Sequence, residues 1–403
     1  MLAISPIKSF LCNYDALFVA LVINMNVLRF FMGIYETNLA LYLIYFLAII
    51  ILFSKYIKKI FAILRKEYKI RQIYTGFFFL ILYAILSLTW SSNPDGCIVS
   101  AMKLLISIVI ASLSLCLGIH KIKWVLYYSV LINLIYGAVI LAFPARMIRY
   151  MNGDVNYLNA TLTLGLSATI SLSWVLVSFF KKALSLMTAV YAGMVVFFYY
   201  ILVSFAARGV LLFPPLVILI FIGVNFSKNK LKAIVLLVLS IMIVHFAIDF
   251  YINNASQYAV SRMTSLFEET ENEDRLSIWT NAIECILDNL WFISGGGVDA
   301  FRSYQMIYPH NILIQFLGEY GLWGLFVILN PILFILKKFK QINGYDLTSD
   351  SWTSVYGVHA AFIYYFLTFN KSFSLYEGCA LYVFMFLCIS VIFQLYNNKE
   401  IVW

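Results

Sequence analysis

Continuous apolar runs of about 20 residues, one after another along the chain, limit its possible folds more than any other feature. Backbone inside lipid must satisfy its own hydrogen bonds, which only helices and closed barrels do. These runs lack the alternation of barrel strands and have the length of a spanning helix. Twelve are read, near 15–33, 38–54, 74–90, 98–118, 124–143, 158–179, 185–204, 209–226, 232–249, 309–336, 353–369 and 376–395. The first has no small-x-small cleavage site at its end and reads as a retained anchor, not a signal peptide. Composition agrees: 63% of the 403 residues are apolar and only 12% charged, where soluble domains carry roughly 25%. A soluble enzyme, a disordered tail protein and a nucleic-acid module are excluded. The expected class is all-α, a polytopic integral membrane protein.

The net charge of +9 is sorted along the chain. Lys55, Lys58, Lys59, Arg65, Lys66, Lys69 and Arg71 crowd one connection, which the positive-inside rule assigns to the cytoplasm. Alternating from there, Lys121/Lys123, Lys181/Lys182, Lys228/Lys230/Lys232 and Lys337/Lys338/Lys340 fall inside too, with both termini cytoplasmic. Seventeen of the 19 lysines lie inside, Lys103 and Lys371 being the exceptions. Seven of the nine arginines lie outside or at the outer edge: Arg29, Arg146, Arg149, Arg208, Arg262, Arg275 and Arg302. Any one of these pairs with an outer acid or snorkels at the interface. Together they point to an anionic ligand on the outer face, since the guanidinium fork suits phosphate.

The chain reads as one membrane domain over 1–403 with a single large outer loop at 250–308. A long loop in a compact fold is usually functional. Asp274 is a candidate N-cap there, and Leu276, Trp279, Ile283, Ile286 and Leu290 recur at helical spacing, predicting an amphipathic helix near 275–291 that ends at Gly295-Gly296-Gly297. Its apolar stripe is expected to face the membrane. The acidic run 268–274 has no metal-ligand spacing and reads as a solvated face. Cys97 and Cys285 both fall outside, where free thiols are favoured over a disulfide between them.

Three places bear on chemistry. In Tyr308-Pro309-His310-Asn311, proline in a first helical turn would set His310 at the outer N-terminus of the tenth span. A neutral histidine there accepts a proton from an attacking hydroxyl, or simply bonds a loop carbonyl. Downstream, Gly321 and Gly324 favour close packing, and Glu319, costly in lipid, is expected to pair with an arginine or face a polar cavity. The turn Ser204–Gly209 carries Arg208, read equally as a diphosphate ligand or an interfacial cation, and Pro214-Pro215 beyond it are expected to distort the eighth helix. The turns at 90–94 and 154–157, the latter with Asn156, read as polar-capped outer turns.

His310-Asn311, nine residues, Gly321, two residues, Gly324 resembles the signature of the O-antigen ligase and O-antigen polymerase superfamily. Arg275-Leu276-Ser277-Ile278-Trp279, Arg208-Gly209, the Trp90-Ser91 turn and Asn156 fit the same pattern, with Ala207 standing where a small polar residue is usual. The resemblance implies a C-type membrane glycosyltransferase that uses an undecaprenyl-diphosphate-linked oligosaccharide on the periplasmic side of the inner membrane, with neither metal nor cofactor. It implies that Arg208 and Arg275 hold the donor diphosphate and that His310 orients or deprotonates the acceptor hydroxyl. Arg262, Arg302, Asn311, Asn156 and Glu319 complete the expected substrate-binding set. Membrane lipids and a chain-length regulator are the other expected partners. The favoured activity is that of a polymerase of lipid-linked repeat units; a ligase to lipid A core is the alternative, and a lipid-glycan transporter a third reading.

Overall fold

The computed structural model describes residues 13–32, 39–91, 93–143, 157–181, 185–203, 208–226, 274–304, 308–343, 347, 349–371 and 373–397, with scattered positions between 230 and 249. The helices are α1 (Tyr14–Ile23), α2 (Met25–Met32), α3 (Leu39–Lys66), α4 (Tyr68–Leu86), α5 (Pro94–Leu115), α6 (Ile119–Ala142) and α7 (Tyr157–Lys181). They continue with α8 (Leu186–Val203), α9 (Arg208–Phe226), α10 (Asp274–Asp288), α11 (Ile312–Ile342), α12 (Ser349–Phe369) and α13 (Cys379–Asn397). Among the described residues there is no strand. Seven helices among the described residues, α4 to α8, α11 and α13, are long and apolar enough to cross a membrane. The chain is an all-α polytopic membrane protein. The run near 15–33 is interrupted at Asn24, between α1 and α2, and the run near 232–249 lies mostly outside the described residues.

Lipid is as apolar as leucine, so helices in a membrane associate through close packing and specific hydrogen bonds, not through a hydrophobic drive. Helix α7 shows the consequence. It is rich in Ser and Thr, and α6, α8, α9 and α12 pack around it. Its hydroxyls at Thr169, Ser173 and Ser178 turn back onto Gly165, Ile170 and Trp174 carbonyls, so they need no external partner. A Cβ on Gly165 would stand 2.3 Å from the Tyr364 hydroxyl, which instead donates to Leu162 O at 2.9 Å. Such interhelical bonds contribute about 0.6 to 2 kcal/mol each. Helix α13 performs a similar service at the α5–α6 turn: Gln394 accepts from Ile119 N–H and donates to Leu117 O, and Ser390 donates to Leu115 O and Leu117 O.

Pro214 and Pro215 do not interrupt α9, which runs through both. Pro215 cannot supply the N–H that Leu211 O expects in a helix. The Tyr199 hydroxyl of α8 donates to that carbonyl at 3.4 Å. A neighbouring helix thus supplies a donor where the ladder lacks one, and the helix runs on without a break. The true break lies elsewhere. Gly321, inside α11, has φ 70 and ψ −167, and the helix resumes after it.

Candidate functional site

Helix α11 starts later than the proline suggested. Asn311 is its N-cap, its side-chain oxygen accepting from Leu313 N–H at 3.0 Å and Ile314 N–H at 3.1 Å. Pro309 therefore precedes the helix, because the Asn311 cap satisfies the donors of the first turn itself. His310 stands between them in a left-handed conformation, φ 52, partly exposed, with its ring centroid 4.3 Å from that of Tyr308. Residues held at positive φ without being glycine carry strain and concentrate at functional sites.

Below the cap, Asn311, Gln315 and Glu319 share one helix face at successive turns. Glu319 is 1% exposed. Its Oε1 accepts from Gln315 Nε2 at 2.9 Å and its Oε2 accepts from the Tyr376 hydroxyl, which also contacts the Tyr320 hydroxyl at 3.2 Å. Gln315 donates to Ser374 Oγ at 3.2 Å and accepts from Leu375 N–H at 2.9 Å. Among the described residues no arginine pairs with Glu319. Both of its oxygens are engaged inside the protein, where they anchor the α12–α13 connection to α11. Asn311 likewise has its oxygen committed to the cap.

The break at Gly321 is filled by the glycine loop that follows α10. Gly296 N–H donates to Gly318 O at 2.8 Å and Gly297 N–H to Glu319 O at 3.1 Å. A Cβ on Gly321 would meet Gly295 N and Ile293 O at 2.9 Å, and one on Gly295 would meet Glu319 O at 2.4 Å. The expected close-packing role of Gly321 thus becomes a more specific one: loop backbone enters the span and takes the carbonyls that the break exposes. The Trp90-Ser91 turn clamps the other side of this loop. Ser91 donates to Val298 O, Val298 N–H donates to Ser87 Oγ, and the Tyr83 hydroxyl donates to Ser294 O. At the far end of that turn Asn93 caps α5, with Pro94 in its first turn.

Helix α10 packs on α11 through Ala282 and Ile286, joined by Phe301, Ile314 and Leu317. Leu276, Ile283, Leu287 and Leu290 remain exposed along a second stripe. The single apolar stripe expected from spacing is therefore divided: Ile286 turns to protein, whereas Leu276 and Ile283 do not. Cys97 and Cys285 are buried free thiols.

Arg275 lies in the first turn of α10 and Arg208 is the first residue of α9, with neither side chain among those described. Arg262 and Asn156 lie outside the described residues. Arg302 is largely exposed, with Nε 3.9 Å from Asp299 Oδ2. Asp299 also takes a left-handed conformation, φ 60. Burial pushes its carboxyl above the ordinary value, against the opposing pull of Arg302, the Ser100 hydroxyl and Lys103. Among the described residues no group of three or more His, Cys, Asp and Glu side chains forms a metal ligand set.

A family profile described as O-antigen ligase matches residues 192–329. The match spans about a third of the 403 residues. That segment runs from α8 through Arg208, Arg262, Arg275, Arg302 and His310 to just beyond Gly324, and it supports the O-antigen ligase/polymerase superfamily read from the motifs. No curated protein matches the chain. The apolar helices and the match together indicate a bacterial membrane protein. In the matched segment, the glycine pair after the histidine has a physical reason at its first member: Gly321 admits loop backbone into the span, nearly three turns below the Asn311 cap.

Sequence reasoning passed over Gln315, Tyr376, Asp299 and the α12–α13 connection. Gln315 and Tyr376 gave no periodic signal, because their role is contact between segments far apart in the chain. Lys371, on that connection, did give one. It is among the two lysines that sort with the arginines.

Proposed function

We propose that this protein is an O-antigen polymerase, joining polyprenyl-diphosphate-linked oligosaccharide repeat units on the periplasmic face of the inner membrane without a metal ion. The observation that carries the reading is the strained His310 at the head of α11, on the helix against which the Arg275-bearing α10 packs. In the proposed reaction the bond between the donor's anomeric carbon and its diphosphate oxygen breaks. The electron pair leaves with the polyprenyl diphosphate. The acceptor hydroxyl oxygen forms the new glycosidic bond, and its proton passes to neutral His310. Arg208 and Arg275 bind the diphosphate and stabilise the charge that grows on it in the transition state. Arg302 and Arg262 extend the cationic outer face, and a chain-length regulator is a further proposed partner.

The ligase reading, transfer of finished glycan to lipid A core, is favoured by the description of the matching family profile. The lipopolysaccharide ladder of a strain lacking the gene separates the two. Collapse to core plus one repeat unit supports the polymerase. Bare core with accumulated long lipid-linked glycan supports the ligase, and an unchanged ladder overturns both. Transfer by the purified protein is expected to survive EDTA; loss on chelation with recovery on adding a divalent ion would overturn the metal-free reaction.

A further inference from the structure

Lysine marks the cytoplasmic side of this chain with two exceptions, Lys103 and Lys371. The structure separates them. Lys103 of α5 is set against carboxylates, its charge acting on Asp299 and Glu377. Lys371 closes the end of α12, its N–H bonded to Thr368 O at 3.0 Å. Its side chain lies over α9: Cδ is 3.7 Å from where a Cβ on Gly209 would stand. Gly209 follows Arg208 directly in the first turn of that helix. Three residues beyond Lys371, Ser374 and Leu375 bond to Gln315, one turn below the Asn311 cap that follows His310. The α12–α13 connection therefore runs from the Arg208-Gly209 turn to the head of α11.

We propose that Lys371 is a further cation of the donor site, contacting the diphosphate of the lipid-linked donor between Arg208 and His310. This deepens the glycosyl-transfer reading and rests on it. A diphosphate gains negative charge as the sugar leaves, and more than one cation is needed to hold it. The two guanidinium forks bind in fixed planes, whereas an ammonium is a compact charge that adjusts to either phosphate. Its flexible stem is the drawback, and Gly209, whose missing side chain leaves room for the Phe213 ring and the Lys371 stem together, gives that stem a place to lie. The competing role is structural. A cation at a helix C-terminus stabilises the helix by about 0.3–1 kcal/mol.

The test uses the full-length protein in nanodiscs, with bare polyprenyl diphosphate as the probe and thermal melts alongside. Lys371→Gln is expected to weaken binding about tenfold or more, the worth of one charge-assisted hydrogen bond. Lys371→Arg is expected to restore most of that loss. Lys337→Gln, an exposed lysine near the opposite end of α11, is expected to bind as the wild type does. In transfer assays Lys371→Gln should raise the donor KM in proportion. Wild-type affinity in Lys371→Gln overturns the proposal and leaves glycosyl transfer standing. A loss of binding that follows a loss of melting temperature, unrescued by arginine, assigns Lys371 to structure and also overturns it. Tighter binding of inorganic pyrophosphate than of the lipid overturns the lipid-donor assignment. A Lys371-dependent diphosphate site in a protein that transfers no glycan upholds the site and overturns the glycosyl-transfer reading.

Discussion

The two ends of the helix bundle handle charge in opposite ways. At the lysine end, Asp15 is buried and accepts from Lys121 at 2.5 Å, from Lys55 at 3.2 Å and from the Tyr56 hydroxyl at 2.5 Å. Lys55 also donates to the Tyr14 hydroxyl, so the cluster is closed on itself. At the His310 end, the ion pair between Arg302 and Asp299 is long, 3.9 Å, and Arg302 stays exposed. Every positive-φ residue among those described lies at this end, from Leu290 to Gly321, and it includes Asp299 and His310. One end is assembled from satisfied pairs on regular helices. The other is assembled from interrupted helices, inserted glycine loop and strained backbone. Satisfied pairs contribute stability and little else, whereas strain persists only where surrounding structure imposes it, and it concentrates where ligands bind.

That contrast can be broken experimentally. The largest effect is expected from His310→Ala, which should lower kcat by roughly 100-fold or more at matched membrane abundance, the scale of a lost general base. Near-normal turnover would reduce His310 to a strained loop residue. Next comes Gly321→Ala. A side chain at φ 70 with no space before Gly295 N and Ile293 O should cost about 1–3 kcal/mol or more and lower the melting temperature. Gly223→Ala in α9, where nothing lies within 4 Å, should instead be neutral or stabilise by about 0.5–1 kcal/mol. Equal responses would mean that the glycine seam bears no special constraint.

At the other end, Asp15→Asn is expected to cost about 1–2 kcal/mol, kept modest because Lys55 and Lys121 stay partly solvated. Turnover per folded molecule should not change; a fall in kcat at unchanged folded fraction would erase the division of labour between the ends. The smallest effect concerns Asp299. Because its folded carboxyl titrates above the unfolded one, the folded state keeps a proton that the unfolded chain has lost. Its stabilising contribution is complete below the unfolded value and is lost as pH rises through the folded value. Asp299→Asn should therefore flatten the decline of melting temperature across the pH range just above that of an ordinary carboxylate. An unchanged slope would assign that decline to other groups.

The sequence by itself determined the class of fold, because a run of apolar residues reports the solvent around a segment, and that solvent permits only helices. Its charge pattern also predicts that lysines and most arginines sort apart, and it singled out a histidine–glycine spacing that lies within the family-matched segment. What only the tertiary structure decided was contact between distant segments. Pro214-Pro215 marked a weak point in α9, but that Tyr199 of another helix would reach Leu211 O was not visible. Gly321 looked like a packing residue, yet it is a break, because Gly296 and Gly297 from the preceding loop bond the carbonyls of Gly318 and Glu319. Glu319 was expected to meet an arginine or a polar cavity, but that Gln315 and Tyr376 would hold both its oxygens was not visible. Lys371 was visible as a lysine on the arginine side, but its place over Gly209 was not. In each case the outcome rests on a hydrogen bond or a close approach to backbone far away in the chain, and local periodicity carries no information about which remote backbone will arrive.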